Sequence, residues 1–127
     1  MDRSETARRG EDAATAFLER VGMHIEARNW RSSAGEIDIV ARDGDELVFV
    51  EVKTRRSERA GTAEEAVSTA KQRRIVRLAQ SYVAANASRP PGGIRFDVVA
   101  IRVLGEDRAL LRHYRAAFEA TSWPRPW

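Results

Sequence analysis

The spacing of hydrophobic and polar residues predicts two long helices and two strand hairpins that alternate along the chain. In the helices the apolar residues recur every three or four positions, and in the strands they alternate or run together. The order helix, hairpin, helix, hairpin predicts a single α/β domain in which helices flank a mixed β-sheet. The predicted elements are helix 5–22, edge strand 24–29, strands 36–42 and 47–53, helix 62–87, strands 94–103 and 109–114, and a last helical turn at 115–120.

The first predicted helix carries one apolar stripe that is suited to packing on the sheet. Gly22 is expected to end this helix. Glu11 lies on the rim of the stripe, which makes it the acid of this helix nearest to the core. The stripe consists of Ala7, Ala14, Phe17, Leu18 and Val21.

The clearest feature of the chain is a hairpin of two β-rich runs. Asp43-Gly44 between the runs is a strong signal for a two-residue turn. The second run, 47–53, is apolar on both faces until its end. Such a run predicts a central strand that is covered on both sides.

This hairpin is expected to bring charged residues together at one end of the sheet. With Asp43-Gly44 as the loop, Asp38 would pair with Phe49, and Glu36 would pair with Glu51. Side chains alternate between faces along a strand, so the three acids would share a face with Lys53.

The acids and the lysine are the components of phosphodiester hydrolysis. Facing carboxylates repel each other, and a divalent cation such as Mg²⁺ or Mn²⁺ would remove that cost. Mg²⁺ needs only one or two protein carboxylates, and Asp38 and Glu51 would suffice. The cation would acidify a water and polarise a phosphoryl group, while Lys53 would position or activate that water. The alternative is a set of solvated side chains at a strand end.

Charge and composition favour a nucleic-acid partner without requiring one. The net charge is +3, and the cations comprise twenty arginines but only two lysines, Lys53 and Lys71. Residues 53–77 contain eight cations and three acids, an excess typical of a phosphate-binding surface and also of a solvated helix face. The predicted nucleic-acid contacts are Arg55, Arg56, Arg59, Lys71, Arg73, Arg74 and Arg77.

Lys71, Trp30 and the two histidines could each have a functional or a packing role. Lys71 interrupts the apolar stripe of the second helix; it is either a snorkelling side chain or a functional residue on a helix that faces the acids from a distance. Trp30 lies between two arginines, and we expect it to be a packed residue of the edge strand rather than a residue that stacks on a base. For His24 and His113 we expect surface or packing roles. The absence of cysteine excludes disulfides and thiolate metal sites.

Gly35-Glu36-Ile37-Asp38 followed by Phe49-Val50-Glu51-Val52-Lys53 resembles the PD-(D/E)xK signature of restriction-endonuclease-like nucleases. The signature's proline is replaced by Ile37. The likeness is nearest to the bacterial family UPF0102, also called YraN-like, which is similar in fold to archaeal Holliday-junction resolvases. It extends over nearly the whole chain and includes Gly10-Glu11, Lys71 and Arg95-Phe96-Asp97.

The resemblance implies a restriction-endonuclease-like fold and a Mg²⁺-dependent endonuclease that acts on DNA, with branched DNA suggested by the resolvases. It implies that Asp38 and Glu51 are metal ligands, that Lys53 is the catalytic lysine, and that Glu11 assists the metal or the water. Junction cleavage would require a homodimer. The alternatives are a nucleic-acid-binding module without turnover and a domain that binds an acidic protein surface.

The remaining expectations concern boundaries and location. We predict a domain over residues 1–121 and a loose tail over 122–127, which contains two prolines. No apolar run is long enough to cross a membrane, and the N-terminus lacks a secretory signal. A cytoplasmic protein is therefore expected.

Overall fold

A computed structural model describes residues 3–56, 67–86, 92–105 and 107–120. The predicted start of the second helix at 62–66, Arg59 and the tail at 122–127 lie outside these residues. The described elements are α1 (Arg3–Arg20), β1 (His24–Ser32), β2 (Gly35–Asp43), β3 (Glu46–Arg55), α2 (Thr69–Asn86), β4 (Gly93–Val103) and β5 (Ala109–Phe118).

The five described strands form one mixed sheet in the order β1-β2-β3-β4-β5. Strands β3 and β4 are parallel, and every other neighbouring pair is antiparallel. Parallel neighbours need a crossover, and the chain between β3 and β4 contains α2. The predicted α/β class and mixed sheet are confirmed.

The sheet separates two apolar clusters, as the predicted covering helices require. On one side Ala14 and Leu18 of α1 pack in a cluster with sheet residues that include Val48. On the other side α2 contributes Leu78 to a cluster that contains Phe49. Strand β3 is buried on both faces, with residues 47–50 at most 1 % exposed, so the prediction of a central covered strand is confirmed.

Helix α1 ends where the sequence predicts, but its buried stripe is shorter than predicted. Gly22 has a φ of 100°, its N–H donates to Glu19 O, and Met23 N–H donates to Leu18 O. These two bonds form the Schellman motif that glycine favours after a helix. Ala7 and Val21 were predicted to be buried but are exposed, because the sheet covers only the middle of the helix.

Helix α2 begins later than predicted. Val67 and Ser68 are not helical, and Ser68 Oγ accepts a hydrogen bond from Lys71 N–H at 3.2 Å. Ser68 is therefore the N-cap, and Lys71 lies in the first turn of the helix.

Both outer strands are longer than predicted. Strand β1 extends from His24 to Ser32 instead of ending at Asn29, and β5 continues to Phe118. The predicted helical turn at 115–120 is wrong. The backbone does bend at Ala116, which has a φ of 51°, but pairing with β4 resumes beyond the bend.

Candidate active site

The β2–β3 hairpin turns one position later than predicted. Its turn residues are Gly44-Asp45, and Val40 pairs with Phe49. The predicted pairing of Asp38 with Phe49 is therefore wrong by two positions. The loop still contains an even number of residues, so the paired residues 39–43 of β2 keep their predicted faces.

The corrected register brings two acids together at the end of the hairpin. The ladder ends at the pair Ile39 and Val50, and one further position places Asp38 beside Glu51. The two carboxyl groups are close enough to interact directly. The predicted pairing of Glu36 with Glu51 is wrong, but the predicted approach of the Asp38 and Glu51 carboxylates is confirmed.

Asp38 is held by the backbone of β3. Val52 N–H donates to Asp38 Oδ2 at 2.8 Å, so a side chain replaces the strand ladder where β2 separates from β3. Burial, followed by the negative charge of Glu51, raises the pKa of Asp38 to about 7. A half-buried carboxyl with such a pKa is typical of functional sites.

Two lysines share one carboxylate oxygen on the α2 side of the sheet. Lys71 Nζ lies 2.6 Å from Glu51 Oε1, and Lys53 Nζ lies 3.8 Å from the same atom. The Glu51 side chain is only 11 % exposed. Lys71 thus lies beside the acids and closer to Glu51 than Lys53 does, and the prediction that it faces them from a distance is wrong.

The two lysines differ in their affinity for a proton. Burial and the neighbouring Lys71 ammonium lower the pKa of Lys53. Burial alone would also lower the pKa of Lys71, but the hydrogen bond to Glu51 raises it. Lys71 therefore stays protonated, whereas Lys53 gives up its proton more easily.

A second group of acids meets at Asp38. One carboxyl oxygen from each of Glu11, Glu36 and Asp38 lies within 4.8 Å of the others. Burial raises the pKa of Glu11, and a hydrogen bond with Asn29 opposes this rise. Glu11, predicted to be the acid of its helix nearest to the core, lies beside Asp38, and Glu36 meets these two acids rather than Glu51.

Gly10 allows α1 to approach the sheet closely enough for Glu11 to reach Asp38. Gly10 is buried, and a Cβ atom at this position would overlap Thr54 Oγ1 on β3. Because Thr54 follows Lys53 directly, this contact fixes α1 against the end of the strand that carries Glu51 and Lys53.

The donor atoms around Asp38 suit a hard divalent cation. Asp38, Glu11, Glu36 and Glu51 offer carboxylate oxygens, the ligand type that Mg²⁺ and Mn²⁺ prefer. The residues present therefore fit the cofactor expected from the sequence. Asp38 is the acid that belongs to both groups.

The arginines of the predicted cationic surface are exposed as far as the structure describes them, whereas Lys71 is partly buried against Glu51. Arg55 and Arg56 extend from the end of β3, and Arg56 donates to Thr6 Oγ1 at 3.0 Å. On α2, the exposed arginines are Arg73, Arg74 and Arg77.

A separate ionic cluster on the α1 side of the sheet holds β4, β5 and the hairpin turn together. Asp97 is fully buried and accepts two hydrogen bonds from Arg95 at 2.9 Å. It also contacts His113 Nε2 at 2.7 Å and accepts from Ala116 N–H. Arg95 in turn donates to Asp43 at 2.9 Å. These contacts confirm the expected packing role of His113, and the charged cluster is structural.

Trp30 also has a packing role. It is half-buried on β1 and meets Tyr82 edge to face, with ring centroids 5.4 Å apart. The expectation of a packed edge-strand residue is confirmed.

The described elements define a class of protein. They form a single α/β domain with a mixed sheet between helices, an arrangement compatible with a restriction-endonuclease-like core. Acids and lysines meet at one end of its central strand. Within the described residues, no helix is long and apolar enough to span a membrane.

Comparison with known proteins identifies the family within this class. The family model described as "Uncharacterised protein family UPF0102" matches residues 10–101, and the chain belongs to this family. A UPF0102 protein of Symbiobacterium thermophilum is 52% identical over 111 residues, which cover 87% of this chain and 93% of the relative. A UPF0102 protein of Syntrophotalea carbinolica is 47% identical over 124 residues, covering 95% and 97% respectively.

Proposed function

We propose that this protein is a Mg²⁺- or Mn²⁺-dependent endonuclease that hydrolyses phosphodiester bonds of DNA. The observation that carries the proposal is the meeting of Asp38 and Glu51 at the end of a buried strand, with Lys53 Nζ 3.8 Å from Glu51. Carboxylates and a lysine in this arrangement provide for metal binding and proton transfer in one place.

Each residue of the site has a distinct proposed role. Asp38 and Glu51 would hold the divalent cation, with Glu11 assisting from α1. A bound cation would supply positive charge that polarises the phosphoryl group and lowers the pKa of a water. Lys53, whose pKa is lowered by burial and by Lys71, would orient the attacking water and accept or return its proton.

The exposed arginines would hold the phosphate backbone. If Arg73, Arg74 and Arg77 contact duplex DNA, binding should weaken steeply with salt, and each arginine replaced by alanine should reduce the slope of log K against log salt by about 0.9. Fluorescence anisotropy over a range of salt concentrations measures this slope. A slope near zero in the wild type would favour an acidic protein partner instead.

The resemblance to resolvases extends the proposal to branched DNA and to a homodimer, because symmetric junction cleavage needs two active sites. Incubation of the purified protein with linear, flapped, nicked and four-way DNA, with Mg²⁺, Mn²⁺ or EDTA, tests both activity and substrate. We expect metal-dependent cleavage. Absence of cleavage in every combination would contradict the endonuclease proposal.

A non-catalytic nucleic-acid-binding module is the second candidate, and one observation favours it. Lys71 already neutralises Glu51 at 2.6 Å, so Glu51 does not require a metal for charge balance. Salt-sensitive DNA binding without cleavage of any of these substrates would support this alternative.

A further inference from the structure

Glu51 has a counter-ion supplied by the protein itself. Lys71 Nζ lies 2.6 Å from Glu51 Oε1, whereas Lys53 Nζ is 3.8 Å from that atom. Both lysine side chains are 24 % exposed. A pair this short and this sheltered from solvent is screened much less than a surface ion pair.

The position of Lys71 is determined by the start of α2. Its backbone N–H donates to the capping Ser68 Oγ, so the ammonium reaches Glu51 from the first helical turn. The side chain is long and unbranched, and rotation alone can move its charge to the exposed face of the same helix. Lys53 lies on the same strand as Glu51, two residues away.

An ammonium and a divalent cation compete for the same carboxylate. Both bind through the lone pairs of Glu51, and like charges a few ångströms apart in a partly buried site repel strongly. We propose that Lys71 occupies the cation position on Glu51 in the metal-free protein and that a divalent metal ion must displace it. The inference rests on the metal site of the proposed function and assigns that site a regulating residue.

Calorimetric titration with Mn²⁺ tests the competition. Lys71→Met keeps the length of the side chain and removes its charge, so it should bind Mn²⁺ at least about fivefold more tightly than the wild type. Arg73→Met is the matched control, since it removes one exposed charge from the same helix, and should change the affinity by less than about twofold because solvent screens it. Equal or weaker Mn²⁺ binding by Lys71→Met, or no binding by either protein, would overturn the proposal.

The chain contains only two lysines, which allows a direct second measurement. Lysine labelled with ¹³C at Cε should give two side-chain signals, and loss of one in Lys71→Arg assigns it. Saturation with Mg²⁺ should move the Lys71 signal to the position that it has in metal-free Glu51→Gln, in which the ion pair is absent. A Lys71 signal unchanged at saturating Mg²⁺ would overturn the proposal, even if Lys71→Met failed to fold.

Failure of this inference can be distinguished from failure of the endonuclease proposal. If Lys71→Met binds Mn²⁺ more tightly but the wild type cleaves no DNA, the competition stands and the activity fails. If the wild type cleaves DNA with Mn²⁺ while its affinity equals that of Lys71→Met, the activity stands and the competition fails.

Discussion

At the end of β3 two lysines contact Glu51, whereas the sequence had placed only Lys53 beside the acids. Lys71 forms the short ion pair with Glu51, and Lys53 is left with a lowered pKa because it is buried beside that cation. The sequence contained a signal for both residues, since they are the only lysines among twenty-two cations. It could not show their distances, which depend on how α2 packs on the sheet.

Asp38 should lower the stability of the metal-free protein at neutral pH. The pKa of Asp38 is about 7 in the folded protein, against 3.8 ordinarily. Between pH 3.8 and pH 7, Asp38 is therefore protonated in the folded state and ionised in the unfolded state. Stability therefore decreases as pH rises from 4 to 7, and the cost persists above 7. Asp38→Asn removes this cost and should stabilise the protein at pH 8 by on the order of 1–3 kcal/mol, and by little at pH 4.5.

Urea unfolding in EDTA at the two pH values measures this difference. Asp45→Asn, which neutralises an exposed carboxylate in the hairpin turn, is the control and should have little effect at either pH. Lower stability of Asp38→Asn than of the wild type at pH 8 would show that the carboxylate has a structural role instead.

At the scale of elements, the periodic patterns predicted which segments form helices and strands, and long-range contacts determined where they end. The hairpin turn moved by one position because Asp43, placed in the loop by the sequence, pairs with Glu46. Strand β5 continued past Tyr114 because the buried Asp97 binds the N–H of Ala116 at the bend. The local sequence of a strand does not show which distant residue will bind its backbone.

The close approach of α1 to β3 depends on Gly10. Alanine is the better helix former by about 1 kcal/mol, but its Cβ would overlap Thr54 Oγ1. Gly10→Ala should therefore lower the free energy of unfolding by about 1–3 kcal/mol, the usual cost of overpacking. Thr54→Ala in the same chain should restore at least half of this loss, because it removes the overlapping oxygen. Chemical denaturation of the wild type and the two variants measures these differences, and a Gly10→Ala protein more stable than the wild type would contradict the packing.

At the scale of the whole molecule, two groups of buried charged residues in one sheet differ in how well their charges are compensated. The site at Asp38 and Glu51 contains acids that burial destabilises, whereas the Asp97 cluster satisfies its buried charge with Arg95 and His113. The sequence predicted the site at Asp38 and Glu51 from the even number of residues in the hairpin loop. It indicated Arg95 and Asp97 only through a family resemblance, because an acid inside an apolar strand has no visible partner.

Asp97 should be essential for stability. Burial alone would raise its pKa, but hydrogen bonds from His113, Arg95 and Ala116 lower it. Its contribution is thus complete above the unfolded pKa of about 3.9 and is lost as pH falls through the lower folded value. Asp97→Asn should cost about 3–5 kcal/mol at pH 7, the usual effect of breaking a buried ion pair. The difference from the wild type should narrow below about pH 4, and a pH-independent difference under 1 kcal/mol would contradict this role.

The central claim is that Asp38, Glu51 and Lys53 form a metal-dependent nuclease site, and Lys53→Arg tests it most directly. Arginine preserves the positive charge, so the fold, the Mn²⁺ affinity and the DNA affinity should be unchanged. Unlike lysine, however, it cannot give up a proton. The single-turnover rate of Mg²⁺-dependent DNA cleavage should fall by about 10²-fold or more. Arg20→Lys, the reverse exchange at an exposed position in the last turn of α1 and outside the proposed DNA contacts, should cleave at the wild-type rate. Equal cleavage by Lys53→Arg and the wild type would contradict the account.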